Sequence, residues 1–272
     1  MSDAAASHAT ARQAVSDDAF LGGRLRLLQP ATGYRAGIDG VLLAATVEAR
    51  PGAQVLDAGS GVGVVGLCVA QRLPDVRVTL VERDGGLAAL ARRNVERNGF
   101  AARIRVVEAD ILRPLGETAE LAAAAGTFDE VVANPPFHIE GRGTAAGDPV
   151  KAGANAMPAG ALDRWLRFMA ALARPGARIA LIHRTEALPE VLSALAGRFG
   201  GAVVVPLHPR EGEAALRVLV RAVKGSRAPL ELRPGLVLHG AEGSFRPRIA
   251  AILRDGAALP LRGGPADGGE GA

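Results

Sequence analysis

The residues best placed to do chemistry form the run Asn134-Pro135-Pro136-Phe137. It follows the apolar stretch Val131 to Ala133 in "EVVANPPFH". Neither proline carries a backbone N–H, and each has a fixed φ. A residue before a proline is pushed to an extended conformation, which restricts Asn134 and Pro135. The run is a stiff turn, rich in acceptors and poor in donors, that presents an amide and an aromatic ring. It can serve simply to end a strand, or it can hold a group that donates hydrogen bonds.

A second set of candidates lies upstream. In "VLDAGSGVGVVG", Gly61, Gly63 and Gly66 spell G-x-G-x-x-G, and Glu82 stands where a ribose-binding acid belongs. Taken alone, this points to a dinucleotide. Three features argue otherwise. Asp57 precedes Gly59 and Gly61 as D-x-G-x-G, and a carboxylate there repels a pyrophosphate but suits a cationic ligand. Asp110 ends "VVEAD", where it can accept from a ring amine. The turn at Asn134 has no part in hydride transfer.

The elements that must position these residues alternate. "AQVLDA", "VRVTLVE", "RIRVVEA", "FDEVVA" and "ARIALIH" read as strands. Helical stretches separate them: "GVVGLCVAQRL", "GGLAALARRNVERNG" with Gly99 as its C-cap, "ETAELAAAAG" and "ALDRWLRFMAALARPG". "TEALPEVLSALAGRFG" reads as a helix opened by a Thr185 N-cap. "GAVVVPLH" and "EAALRVLVRAV" have no helix between them and read as an antiparallel edge hairpin. The fold class is therefore α/β, with a mainly parallel seven-stranded sheet covered on both faces. Ligands in such folds sit at the carboxyl ends of the strands, which places the Asn134 turn in the site.

Composition narrows the class. The chain has 272 residues, nearly half apolar, and one cysteine, Cys68, so no intrachain disulfide forms. Cys68 reads as core filler. No apolar run reaches about 18 residues without a charge, which argues against a membrane span. The N-terminus has no secretory pattern, and no Cys/His cluster has zinc spacing. A cytoplasmic protein without a metal is the expectation. Residues 1–17 and 261–272 read as disordered, and 18–260 as one domain. Residues 161–272 carry 16 basic against 10 acidic side chains, which would favour a polyanion or simply a solvated surface.

Together, the D-x-G-x-G loop, the strand-end acids and the N-P-P-F turn resemble the Rossmann-like class I S-adenosylmethionine-dependent methyltransferases. The resemblance implies that the backbone at Gly59, Gly61 and Gly63 approaches the methionine part, with Asp57 nearby. Glu82 would take the ribose hydroxyls. Asp110 would bind the adenine amine, and Ile111 would pack on its ring. The N-P-P-(F/Y) turn is specific to amino-group methylation but not to one acceptor. The side-chain oxygen of Asn134 and the carbonyl of Pro135 would accept from the amine, and Phe137 would stack on the base. Adenine N6, guanine N2 and protein glutamine all remain open. "NPPFH" itself looks like ribosomal guanine-N2 enzymes, although His138 also reads as an ordinary loop histidine.

"GYRAGIDGVLLAA", "ALIHRTEALPEVL", "HPREGEAALRVLVRAVKG" and "LVLHGAEGSFRPRIAAIL" are similar to the bacterial tRNA adenine-N6 methyltransferase family that acts on position 37 of a valine tRNA. The similarity spans about residues 18 to 256. That family's turn more often ends in tyrosine, and Phe137 departs from it by a hydroxyl. The resemblance implies S-adenosylmethionine as cofactor and RNA, most simply tRNA, as partner. It also places Asp39 near the cofactor, with Tyr34 and Arg35 bordering the site. Asp39 reads equally as a helix N-cap, and Tyr34 as a packed surface ring. Arg184 and Arg210 are the residues assigned to phosphates. Trp165 is expected in the core or at its rim. A non-catalytic binding module would be expected to lose the glycine loop or Asn134, and here both are intact.

Overall fold

The computed structural model describes residues 14–32, 35–139, 156–158 and 160–261. The central sheet is built from β3 (Gln54–Ala58), β4 (Arg77–Glu82), β5 (Ile104–Glu108), β6 (Phe128–Ala133), β9 (Ala173–Arg184), β10 (Phe199–His208) and β11 (Arg217–Lys224). Short, largely β-branched or Leu-rich runs form its interior strands because both faces are covered, which favours apolar side chains on each. The strand order is β5-β4-β3-β6-β9-β11-β10. The first five of these are mutually parallel, and β11 is antiparallel to both its neighbours. Two short strands, β12 (Glu231–Leu232) and β13 (Leu236–Val237), add parallel to the outer side of β10. The seven expected strands therefore gain two, and the expected edge is covered.

Helices cover the two faces. α1 (Ile38–Ala45), α2 (Val64–Arg72), α3 (Gly85–Arg97) and α7 (Pro247–Asp255) contribute to one apolar cluster. α4 (Ala119–Ala123), α5 (Ala161–Leu172) and α6 (Leu188–Leu195) contribute to the other. Cys68 is buried in the first. Asp84 caps α3 by accepting from the Leu87 N–H at 2.9 Å, and Gly99 follows its end at φ +73°. Thr185 is not an N-cap. Its hydroxyl donates to the Ala215 carbonyl at 2.8 Å, and a 3-10 turn over Thr185–Ala187 leads into α6.

A separate antiparallel hairpin, β1 (Val15–Phe20) with β2 (Leu25–Pro30), precedes the sheet. Residues 15–17 thus belong to a strand and not to a disordered leader; residues 1–13 lie outside the described residues. At the other end, Leu261 is buried, one residue inside the expected tail, and 262–272 lie outside the description. The hairpin is tied to α3 by two amides one turn apart. Asn94 accepts from the Leu28 N–H at 2.7 Å and donates to the carbonyls of Leu28 and Val62, each at 3.0 Å. Asn98 accepts from the Arg26 N–H at 3.0 Å and returns a bond to its carbonyl at 2.9 Å. Two side-chain amides thereby satisfy the open edge of β2. Two further short strands, β7 (His138–Ile139) and β8 (Ala156–Met157), pair in parallel beyond the Asn134 turn. Among the described residues, no helix is long and apolar enough to cross a membrane.

Candidate active site

The strand order reverses between β3 and β6, so their carboxyl ends open a crevice. Ala58 lies opposite Ala133, and the glycine loop and the Asn134 turn therefore leave the sheet side by side. Ala58 also lies opposite Val81, and Glu82 opposite Glu108, which brings the next two strand ends alongside. Leu181 of β9 pairs with Ala133, so His183 extends two residues further into the same region.

The loop after β3 must turn sharply against a packed ring. Gly59 has φ +69°, and a Cβ there would stand 2.3 Å from Cη2 of Trp165. Trp165 is therefore core, as one reading of the sequence had it, and it forms the floor beneath the loop. Gly66 allows a second close approach. A Cβ there would meet Leu80 at 2.3 Å, and its absence lets the first turn of α2 pack closely on β4. The Gly66 N–H then donates to Oδ2 of Asp57 at 3.0 Å.

Asp57 is 1 % exposed, and its other oxygen, Oδ1, has no partner. Burial is the main cause that pushes its carboxyl up to about 7; the neighbouring Glu82 adds to this, and the Gly66 bond opposes it. Ser60, in the glycine loop that follows, is also buried, with an unpartnered hydroxyl. Glu82 accepts from the Gly61 N–H at 2.8 Å and from the Asp84 N–H at 2.9 Å. Each of its oxygens is thus oriented by one backbone donor and keeps a second lone pair. Asp110 is half-buried and accepts from the Leu112 N–H at 2.9 Å, with Ile111 buried beside it.

In the turn after β6, Pro135 is buried and Asn134 is half-buried, with its Oδ1 enclosed and unpartnered. The Phe137 ring meets the His183 ring edge to face, with centroids 5.3 Å apart and planes at 77°. The Arg217 guanidinium lies over Phe137, 4.6 Å from its centroid. Its Nε donates to Oδ2 of Asp39 at 3.0 Å. His183 is 4 % exposed, and its Nδ1 accepts from the Arg184 N–H at 2.9 Å. The proton of the neutral ring therefore sits on Nε2, which has no partner. Burial pushes His183 down to about 4, so it is neutral near pH 7. Among the described residues, no group of three or more His, Cys, Asp or Glu side chains could hold a metal ion.

The sequence-derived candidates divide into two groups. Asp57, Gly59, Gly61, Gly63, Glu82, Asp110, Ile111, Asn134, Pro135, Pro136 and Phe137 line up along adjoining strand ends. Asp39 joins them through Arg217 and does not cap α1, whose N-cap is Gly37. Arg35 is a strut for the N-terminal hairpin, donating to Ser16 and to Asp18, each at 2.8 Å. Arg184 and Arg210 are partly exposed and pair with the nearby Glu186 and Glu213 at 2.9 and 3.4 Å. Tyr34 lies outside the described residues. His183, Ser60 and Arg217 were not singled out from the sequence. The strand-end rule that selected Asn134 also selects His183, the last residue but one of β9. Arg217 escapes that rule because β11 is antiparallel, so its first residue is the one at the carboxyl edge.

A sheet of this order, with a glycine loop and strand-end acids at its switch point, defines a class I S-adenosylmethionine-dependent methyltransferase. The model of the methyltransferase small domain matches residues 36–157. A predicted O-methyltransferase from Agrobacterium tumefaciens superimposes with a TM-score of 0.69 at 33 % identity, over 82 % of this chain and 98 % of that one. A tRNA1(Val) (adenine(37)-N6)-methyltransferase from Aeromonas hydrophila is 32 % identical over 223 residues, 80 % of this chain and 88 % of the relative. The Pedobacter heparinus protein of the same name is 28 % identical over 88 % and 97 % of the two chains. The chain belongs to the tRNA1(Val) (adenine(37)-N6)-methyltransferase family.

Proposed function

We propose that the protein methylates N6 of an adenine in a tRNA, in the cytoplasm, with S-adenosylmethionine as donor. The observation that carries this reading is Oδ1 of Asn134, an enclosed acceptor without a partner beside the glycine loop. The cofactor fits the residues at hand: Asp57 Oδ1 and Ser60 Oγ are also buried and unpartnered, and a cationic ligand returns Asp57 to its charged form. In this reading, the backbone from Gly59 to Gly63 holds the methionine part. Glu82 holds the ribose, and Asp110 with Ile111 holds the adenine.

The bound cofactor supplies a methyl group already activated on a sulfonium. An exocyclic amine is a poor nucleophile because its lone pair is delocalised into the ring. Asn134 Oδ1 and the Pro135 carbonyl accept its two N–H bonds, hold the nitrogen closer to tetrahedral and aim the lone pair. The prolines fix both acceptors before the base arrives, so little reorganisation accompanies transfer. With the amine so held, its lone pair would take the methyl that the cofactor supplies, and the nitrogen's extra proton would pass to water. Phe137 stacks on the base, which contributes roughly 1–3 kcal/mol. A hydroxyl acceptor would need a base to remove its proton, and His183, at about 4, is too weak for that near neutral pH.

Release factor glutamine methyltransferase from Chlorobaculum tepidum matches only 97 residues, 35 % of this chain. That stretch is long enough for a cofactor module but leaves the rest of the chain unaccounted for. The test is to incubate the protein with methyl-labelled S-adenosylmethionine and RNA from a strain lacking the gene, then identify the labelled nucleoside. N6-methyladenosine in tRNA is expected. N2-methylguanosine in ribosomal RNA, or label only in protein, overturns the reading.

A further inference from the structure

Phe137 follows two prolines, and its ring has no polar group to fix its plane. Two side chains from other strands do so. His183 of β9 meets it edge to face, and Arg217 of β11 covers one face at 4.6 Å. These partners are themselves in register, since Val218 pairs with His183 and Arg217 with Arg184.

Arg217 is held at three points. Its Nε donates to Asp39 at 3.0 Å, its Nη1 donates to the Leu216 carbonyl at 3.1 Å, and its plane rests on Phe137. Asp39 lies in the first turn of α1, where the helix dipole favours a carboxylate. The pair is only 30 % and 22 % exposed, whereas Arg184 and Arg210, the arginines assigned to phosphates, are 41 % and 57 % exposed. With its charge matched by Asp39 and its face on a ring, Arg217 is poorly disposed to bind a phosphate.

We propose that Asp39 and Arg217 form a clamp that fixes the plane of Phe137, making Arg217 a positioning residue for the stacked base. This rests on the proposed function, because it presumes that Phe137 receives a base. One face of the ring is covered by the guanidinium, and the base takes the other. Asp39 then acts through Arg217 and does not bind the cofactor.

The experiment is a double-mutant cycle in RNA methylation with Arg217→Gln and Phe137→Leu, supported by cofactor titration and by fluorine NMR of protein carrying 4-fluorophenylalanine. Loss of the clamp lowers kcat/KM for RNA about 10- to 100-fold, the range that stacking can supply. Arg217→Gln and Asp39→Asn shift the same way and leave cofactor affinity within about twofold, and the double variant is no worse than Phe137→Leu alone. The Phe137 resonance, identified by its absence in Phe137→Leu, moves in Arg217→Gln.

Additive losses, with the salt slope of RNA binding reduced by about one, would mean that Arg217 neutralises a phosphate directly and overturn the clamp. So would a loss of cofactor affinity in Asp39→Asn. If the wild-type protein labels no RNA, the proposed function fails, and the resonance decides the clamp separately: an unmoved Phe137 signal refutes it. Unchanged thermal unfolding of each variant separates these results from loss of fold.

Discussion

Replacing Gly59 by alanine tests the packing beneath the cofactor loop. Two costs follow from the geometry. An alanine at φ +69° is in the left-handed region, which costs about 1–2 kcal/mol. Its Cβ would also stand 2.3 Å from Cη2 of Trp165, with two more ring atoms at 3.1 and 3.2 Å. Ordinary contact begins near 3.4 Å, so loop or ring must retreat by about an ångström, an overpacking cost of about 1–3 kcal/mol. The ring is buried in the second apolar cluster and cannot simply swing away. The expected loss is about 2–5 kcal/mol, a large share of the roughly 5–15 kcal/mol typical of a folded domain. Trp165 is the sole tryptophan in the chain, so its fluorescence in a urea titration reads the loop floor directly. Trp165→Phe removes the outer ring atoms. A cycle of the two substitutions, followed by circular dichroism, should recover the steric part and leave the backbone part. A Gly59→Ala variant within about 0.5 kcal/mol of wild type, or a coupling energy near zero, refutes the account.

Asn134→Ala should lower methyl transfer about 10²- to 10³-fold and leave cofactor affinity within a few-fold, as calorimetry would show; equal loss of both would make Asn134 a structural residue. Asp57 should make cofactor binding pH-dependent. Its folded carboxyl is raised to about 7, so a cationic ligand must displace a proton; affinity should rise about tenfold per unit from pH 5.5 towards 7 and then level off, and a flat profile would sink the assignment. In the free protein, that raised value gives stability that is full below the unfolded carboxylate range and is lost as pH climbs through about 7. Asp57→Asn should remove the loss, as urea unfolding at pH 5 and 8 would show. Asn94→Ala deletes one acceptor and two donor contacts to Leu28 and Val62 and should cost about 2–4 kcal/mol in urea unfolding; a neutral result would mean that the hairpin is held elsewhere.

The central sheet and most of its ligand-facing residues were legible because alternation and strand ends are local signals. Asp57, Glu82, Asp110 and Asn134 each terminate or leave an apolar run, so one rule placed them together. The hairpin at residues 15–30 was not read, because "VSDDAF" is polar and its edge is completed by side chains of α3, 66 and 72 residues away in sequence. The partners of Arg35 were not legible for a related reason: Ser16 and Asp18 belong to that unread hairpin. Arg217 needed the direction of β11, which only the pairing with β9 reveals. Thr185 looked like a cap because it precedes a helical run, yet the Ala215 carbonyl, in the turn leading into β11, takes its hydroxyl instead.

Buried polar atoms without partners separate the site from the scaffold. Among the described residues there are six: Asp57 Oδ1, Ser60 Oγ, Asn134 Oδ1, His183 Nε2, Arg72 Nε and Arg221 Nε. Arg72 lies in the last turn of α2 and Arg221 within β11, and each guanidinium is satisfied at another nitrogen. Arg72 donates to the Ala44 and Val47 carbonyls, and Arg221 pairs with Glu48. A guanidinium has five donors, so one idle N–H is a small matter. The other four atoms lie on strands or turns at the carboxyl edge of β3, β6 and β9. Ser60 and Asn134 have no other bond there from the side-chain atom named, and each idle atom costs about 1–3 kcal/mol. A scaffold gains nothing from four such costs in one crevice. A ligand that brings a cation and hydrogen-bond donors satisfies the three oxygens, Asp57 Oδ1, Ser60 Oγ and Asn134 Oδ1, together, and binding should therefore raise the unfolding temperature by more than contact area alone would give.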